Sequence, residues 1–197
     1  MTQQGRSVVL LSASSARAVD WVRRGVVPCH VLDHTAWSIV VPATVTTAAA
    51  PPYDDALTVL AARHAPTPIA PAIGLFAIDD AAVITARAPG RSPIRWALRA
   101  ADREIVRGPH LPPLTPEDLH RALAGNPGAR EVPIAAVRAL WRRTDLTHRE
   151  WLVEAATVLA LPAAAILDGS DTDLGPVISP DERSVNVFES VVKDVHP

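Results

Sequence analysis

The order of the short apolar runs constrains this chain more than any other feature. Strand-length stretches rich in β-branched residues alternate with segments of helical period as far as about residue 107. After residue 110 only helical periodicity remains. Residues 8–11 read Val-Val-Leu-Leu, and Ser14 and Ser15 then stand as N-cap candidates for a helix over 16–24 that Gly25 closes. Two further β-rich runs, 26–33 and 37–41, flank His34-Thr35-Ala36 at hairpin spacing. Beyond the proline and small-residue stretch 47–52, Ala56, Leu57, Leu60 and Ala61 mark a helix over 53–63, with Asp54 and Asp55 favourable at its positive end. Strands at 73–78 and 82–87 then turn around Asp79-Asp80. The order β-α-β-β-α-β-β matches a ferredoxin-like plait through its first six elements.

Segment 94–107 satisfies two templates. Ser92, Pro93 and Gly108 would cap a helix, whereas 95–99 alternates in and out, with a turn at Ala101-Asp102 and a return through Ile105 and Val106. The hairpin is preferred because it follows two strands it can pair with. Three prolines within 108–113 mark a boundary, and Thr115-Pro116-Glu117-Asp118 starts a helix running to Ala124. Asn126-Pro127-Gly128 breaks the chain, 132–143 is helical, and Thr147 with Glu150 forms a capping box before a helix over 151–160. Pro162 opens a short helix ending at Gly169, residues 168–180 read as irregular, and 185–195 docks as a terminal strand or helix. The expectation is an α+β protein: a ferredoxin-like (βαββαβ plus extra hairpin) sheet domain over 1–110, a helical subdomain over 111–170 and a C-terminal extension over 171–197.

Composition excludes several classes. The 197 residues carry 19 basic and 21 acidic side chains, a net charge of −2, so there is no bulk attraction to nucleic acid or to an anionic membrane. Cys29 is the only cysteine, the first thirty residues lack a secretory pattern, and the apolar stretch 155–167 is shorter than the roughly 20 residues of a membrane span and is broken by Pro162. These features read as a cytoplasmic protein with no membrane segment. Eighteen of the basic residues are arginine, Lys193 is the lone lysine, and alanine reaches 34. GC-rich coding produces that bias by itself, which discounts arginine as a binding signal.

Three constellations remain. Cys29, His30, Asp33 and His34 are all metal-ligand types within six residues. On a strand His30 and His34 share one face and Cys29 and Asp33 the other, so a metal at His30 and His34 would need donors from elsewhere, such as His64 or His110. The competing reading is a buried strand cysteine beside ordinary turn chemistry. Arginines recur at 87, 91, 95, 99, 103 and 107, and Arg95 and Arg99, joined across a hairpin by Arg87, would line a face for an acidic partner or anionic ligand, partly offset by Asp102 and Glu104. Among five tryptophans, Trp21, Trp37 and Trp96 read as core anchors, while Trp141 and Trp151 flank the 142–149 turn and with Arg142 suggest an interface.

Ala156, Ala160 and Ile166 have helix-turn-helix spacing, yet 162–167 offers no side chain able to read a base edge, which disfavours specific DNA recognition. Arg138, Arg142, Arg143 and Arg149 could touch phosphates only non-specifically. No nucleophile elbow or phosphate loop is present, and no cofactor is implied. The expected function is a non-enzymatic interaction or regulatory protein acting on a protein partner or by self-association as a homo-oligomer. Two alternatives stand beside it: a small metal-dependent enzyme centred on the Cys29–His34 hairpin, and non-specific nucleic-acid binding.

Overall fold

The computed structural model describes residues 6–100, 105–106, 108–129 and 131–195. It is a mixed α+β fold whose strands join one antiparallel sheet of eight. Along the chain run β1 (Val8–Leu11), α1 (Ser15–Arg23), β2 (Cys29–His34), β3 (Trp37–Pro42), α2 (Ala56–Ala62), β4 (Ala72–Ile78), β5 (Ala81–Arg87), β6 (Arg95–Arg99) and β7 (Ile105–Val106). There follow α3 (Pro116–Ala124), α4 (Ile134–Arg142), α5 (His148–Val158), α6 (Ala164–Leu167), β8 (Val177–Ile178) and α7 (Glu182–Val195). The sheet order is β7-β6-β5-β4-β1-β3-β2-β8, more strands than a simple plait holds.

Register sorts the apolar residues onto two faces, because alternate side chains of a strand point to opposite sides. Leu10 stands opposite Ile39 and Ile73, and Val9 opposite Val40 and Gly74. The first set joins a core with Leu119, Leu123, Val137, Trp151 and Leu152 of α3, α4 and α5, and the second a core with Trp21, Val22 and Leu60 of α1 and α2. Helices therefore cover both faces, and the sheet is buried through its centre. Phe188 of α7 packs at the margin of the second core, edge-on to Tyr53 with ring centroids 5.5 Å apart. Among the described residues no helix is long and apolar enough to cross a membrane.

Local chemistry explains most boundaries. The capping box at Thr147 and Glu150 forms as the spacing predicts, and a second one at Thr115 and Asp118 opens α3. Asp55 caps α2 by accepting from the Thr58 amide at 2.7 Å. Ser14 occupies the N-cap of α1 without a side-chain bond. In the ambiguous segment, β6 and β7 pair antiparallel through Leu98–Val106 and Arg99–Ile105, which is the hairpin; its anticipated turn at Ala101-Asp102 lies outside the described residues. Residues 185–195 belong to a helix. The stretch read as irregular contains β8, which pairs with β2 through Cys29–Ile178 and His30–Val177. Two residues are too few to show a period, so β8 left no mark in the sequence.

Asn126 ties the helical layer to the sheet. The side chain is fully buried; its amide donates to Ser12 Oγ at 3.0 Å and to the Ala36 carbonyl at 2.6 Å, and its oxygen accepts from the Gly128 amide at 2.8 Å. A Cβ on Gly128 would stand 2.8 Å from that of Ala36, so the linker passes the β2–β3 hairpin at a distance only glycine allows.

Candidate functional site

A cleft of about 680 Å³ opens beside the turn between α4 and α5. Its volume lies in the range of small-ligand sites. Leu146, Val153 and Leu167 supply apolar lining, while Arg6, Arg149, Glu150, Glu154 and Asp168 supply charge of both signs. Helices α5 and α6, the turns beside them and Arg6, two residues before β1, build it. The capping box starts α5 at His148, so Arg149, Glu150 and Val153 line the cleft together with Leu146 of the preceding turn, Leu146 and Val153 half-buried against the core that Trp151, Leu152, Ala155 and Ala156 enter. Arg6 donates through Nη1 to the Asp171 carbonyl, which holds the segment after α6 against the start of β1.

Hydrogen bonds fix much of the rim. Glu150 accepts from the Thr147 amide at 2.8 Å. Asp168 accepts from the Ser170 amide at 2.8 Å, and its carboxyl is held below the ordinary aspartate value by the bonds from Ser170. Glu154 lies 3.4 Å from Arg143 Nη1, and Arg143 grips Asp145 through two parallel bonds of 2.6 and 2.7 Å. That fork, chiefly, brings the Asp145 carboxyl down to about 2, with a smaller contribution from the charge of Arg99. Side chains that must also shape turns therefore hold the rim in place.

Most residues singled out in the sequence have a definite place. Trp151 is wholly buried and donates its indole N–H to the Leu140 carbonyl at 3.0 Å, while half-buried Trp141 packs edge-on against it with centroids 5.6 Å apart. Trp151 is thus an anchor beneath the turn and Arg142 is exposed above it. Trp21 and Trp37 are buried core residues, and Trp96 is partly buried at the margin of the second core.

The arginine series divides between the two faces. Arg95 and Arg99 pair with Ala86 and Ala82 on the face covered by α3 to α6, whereas Arg87 pairs with Ala72 on the opposite face. Arg87 therefore does not join the other two: it comes one residue after Ala86, and a step of one residue along a strand reverses the face. Nor do they line a solvent surface, since Arg87 and Arg99 are only 3% and 1% exposed. Arg99 donates to the Leu146 carbonyl at 3.0 Å, and its guanidinium carbon lies 5.2 Å from the Trp151 ring centre. Arg95, partly exposed, lies 3.6 Å from Asp118. Arg91 is exposed, and Arg103, Arg107, Asp102 and Glu104 lie outside the described residues.

In the Cys29–His34 hairpin, His30 and His34 share a face and Cys29 is buried on the other. His30 Nδ1 is 2.8 Å from the Gly175 carbonyl, which joins it to the segment before β8. Among the described residues no group of three or more His, Cys, Asp or Glu side chains is placed to hold a metal ion. The sequence reading missed Arg6, Val153, Glu154 and Asp168. The row 146, 149, 150, 153 does carry helical spacing, but nothing local announces that residue 6 meets it.

No family model matches the chain, and comparison with curated proteins and with solved structures finds nothing similar.

Proposed function

We propose that this chain is a non-enzymatic cytoplasmic interaction or regulatory protein that seats an extended acidic segment of a protein partner in the cleft between Arg6 and α5. One observation carries the reading: an apolar lining of Leu146, Val153 and Leu167 lies beside the exposed Arg149 of the rim, and exposed Arg142 ends α4 just before the turn that leads into it. An apolar side chain flanked by carboxylates suits that arrangement, because it removes apolar area from water while its charges meet guanidinium forks. Glu150, Glu154 and Asp168 set the orientation by repelling carboxylates from their own side of the rim. The acidic-partner role first attached to Arg87, Arg95 and Arg99 passes in this way to arginines that solvent reaches.

The reading includes a ferredoxin-like plait in the first 110 residues, widened by β5 to β7 at one edge and by β8 at the other. The central order β4-β1-β3-β2, with α1 and α2 on one face, supports it. Residues 111–170 form its helical subdomain and 171–197 its extension. The cytoplasmic part rests on Cys29, a buried free thiol.

A photo-crosslinking amino acid at position 153, compared with one at the distant exposed Val187, tests the partner. The expected adduct at 153 maps by mass spectrometry to one acidic segment and falls at least tenfold when Arg142→Glu and Arg149→Glu are combined. Adducts equal at both positions, or insensitive to the charge reversal, refute the reading. Adducts joining two copies of this chain reassign the cleft to self-association.

A further inference from the structure

The face of the sheet beneath α1 and α2 holds two guanidiniums, and none of the ion pairs among the described residues involves either. Arg87 is 3% exposed. Its Nη2 donates to the Gly90 carbonyl at 2.8 Å and reaches Thr67 Oγ1 at 3.3 Å, while Nε and Nη1 are buried with no protein partner. Arg63 donates through Nη2 to the Trp21 carbonyl, and its Nη1 is also buried without a partner. Both residues line one cavity of about 20 Å³, whose walls include Val9, Gly74 and Thr85.

A guanidinium stays protonated in a protein, and an uncompensated buried charge is among the most destabilising features a fold can carry. The apolar neighbours Val9, Leu60 and Ala72 cannot offset it. Whatever compensates Arg87 sits in a small pocket of about 20 Å³, a space that favours a single compact particle over a polyatomic ligand. A water molecule would accept up to two hydrogen bonds and leave the charge in place. A monatomic anion accepts the same bonds and cancels the charge. Thr85 places a hydroxyl donor on the same wall, where a Cβ on Gly74 would stand only 2.4 Å from its oxygen.

We propose that this cavity is an internal halide site, occupied by chloride, held by an unpartnered N–H of Arg87 with Arg63 as a second positive wall. The site lies on the opposite face of the sheet from α5, so it is independent of partner binding in the cleft.

Crystals of the wild-type chain grown in sodium bromide test the proposal directly. An anomalous difference peak within about 3.5 Å of an Arg87 nitrogen is expected, since bromide replaces chloride in such a site. In solution, thermal melting in chloride against gluconate at equal ionic strength should show a saturable rise in Tm, roughly 5–10 °C at a hundredfold excess over Kd. Arg87→Met should abolish the difference between the two salts. A cavity without anomalous signal, or equal melting in the two salts, overturns the proposal and leaves a water in its place. Because both measurements work on the wild type, failure of Arg87→Met to fold does not protect the idea.

Discussion

Each face of the sheet carries a tryptophan with an arginine stacked on it, and the two pairs are built differently. On the side of α3 to α6, Trp151 donates to the Leu140 carbonyl and the Arg99 guanidinium lies 5.2 Å from its ring centre. On the side of α1 and α2, Trp21 donates to the His64 carbonyl at 3.1 Å and Arg63 lies closer, at 3.9 Å. Both distances are within the range of a cation–π contact. The surroundings separate them. Arg99 reaches from the sheet toward the α4–α5 turn, where the charge of Asp145 answers it. Arg63 faces the Cys29 thiol instead, and burial drives both toward their neutral forms, the guanidinium down to about 10 and the thiol up to about 12. The shorter stacking distance therefore belongs to the less compensated cation. How a buried charge is tolerated depends on what stands behind it more than on the ring it touches.

The largest expected effect separates the two tryptophans. Trp151→Ala should lower stability by about 3–5 kcal/mol in urea unfolding, because a fully buried ring leaves a cavity between packed helices. Trp21→Ala should cost less. Trp21 borders an open groove with Arg17, Asp20 and Pro66, so water can enter the space left behind. Equal losses would show that the two packings are equivalent and that the asymmetry lies in the arginines alone. Next in size is the Asn126 tie on the α3–α6 side. Asn126→Ala should cost roughly 1–3 kcal/mol by leaving the Ala36 carbonyl and the Gly128 amide without their side-chain partner. A loss below 0.5 kcal/mol by the same measurement would mean that the linker re-forms those bonds without it.

Legibility in the sequence followed the range of the interaction. Strands β1 to β5 could be read because each is an apolar run rich in β-branched residues or bounded by turn residues, and α3 and α5 because Thr115 and Thr147 cap them through residues three positions on. The pairing of β6 with β7 could be anticipated because it is local. What could not be read depends on residues far apart in the chain. Asn126 looks like a chain break until Ser12 and Ala36 are beside it. The arginine spacing of four suggests one face, yet strand register sends Arg87 to the opposite side, and the helices over Arg99 convert a supposed surface into interior. Arg6 comes beside the α5 row from the far end of the chain, bonded to the carbonyl of Asp171, 165 residues away. The cleft is assembled by tertiary contacts, and a one-dimensional pattern carries no record of them.

The smallest effect examines the electrostatic half of the comparison. Asp145 has its carboxyl pKa lowered from 3.8 to about 2 in the folded chain, so the stability it contributes is fully present above about pH 4 and is lost as pH falls toward 2. The Tm difference between wild type and Asp145→Asn should accordingly be constant at pH 5 and above, and should shrink as pH falls through the folded value of about 2, vanishing only below it. Arg143 is the principal cause, so Arg143→Met should move that window upward toward the ordinary aspartate value. Arg99→Met should move it in the same direction by less. If Arg99→Met leaves the window in place while Arg143→Met shifts it, Asp145 answers Arg143 alone. The Asp145 charge would then not compensate Arg99, and the two faces would differ less in this respect than their geometry indicates.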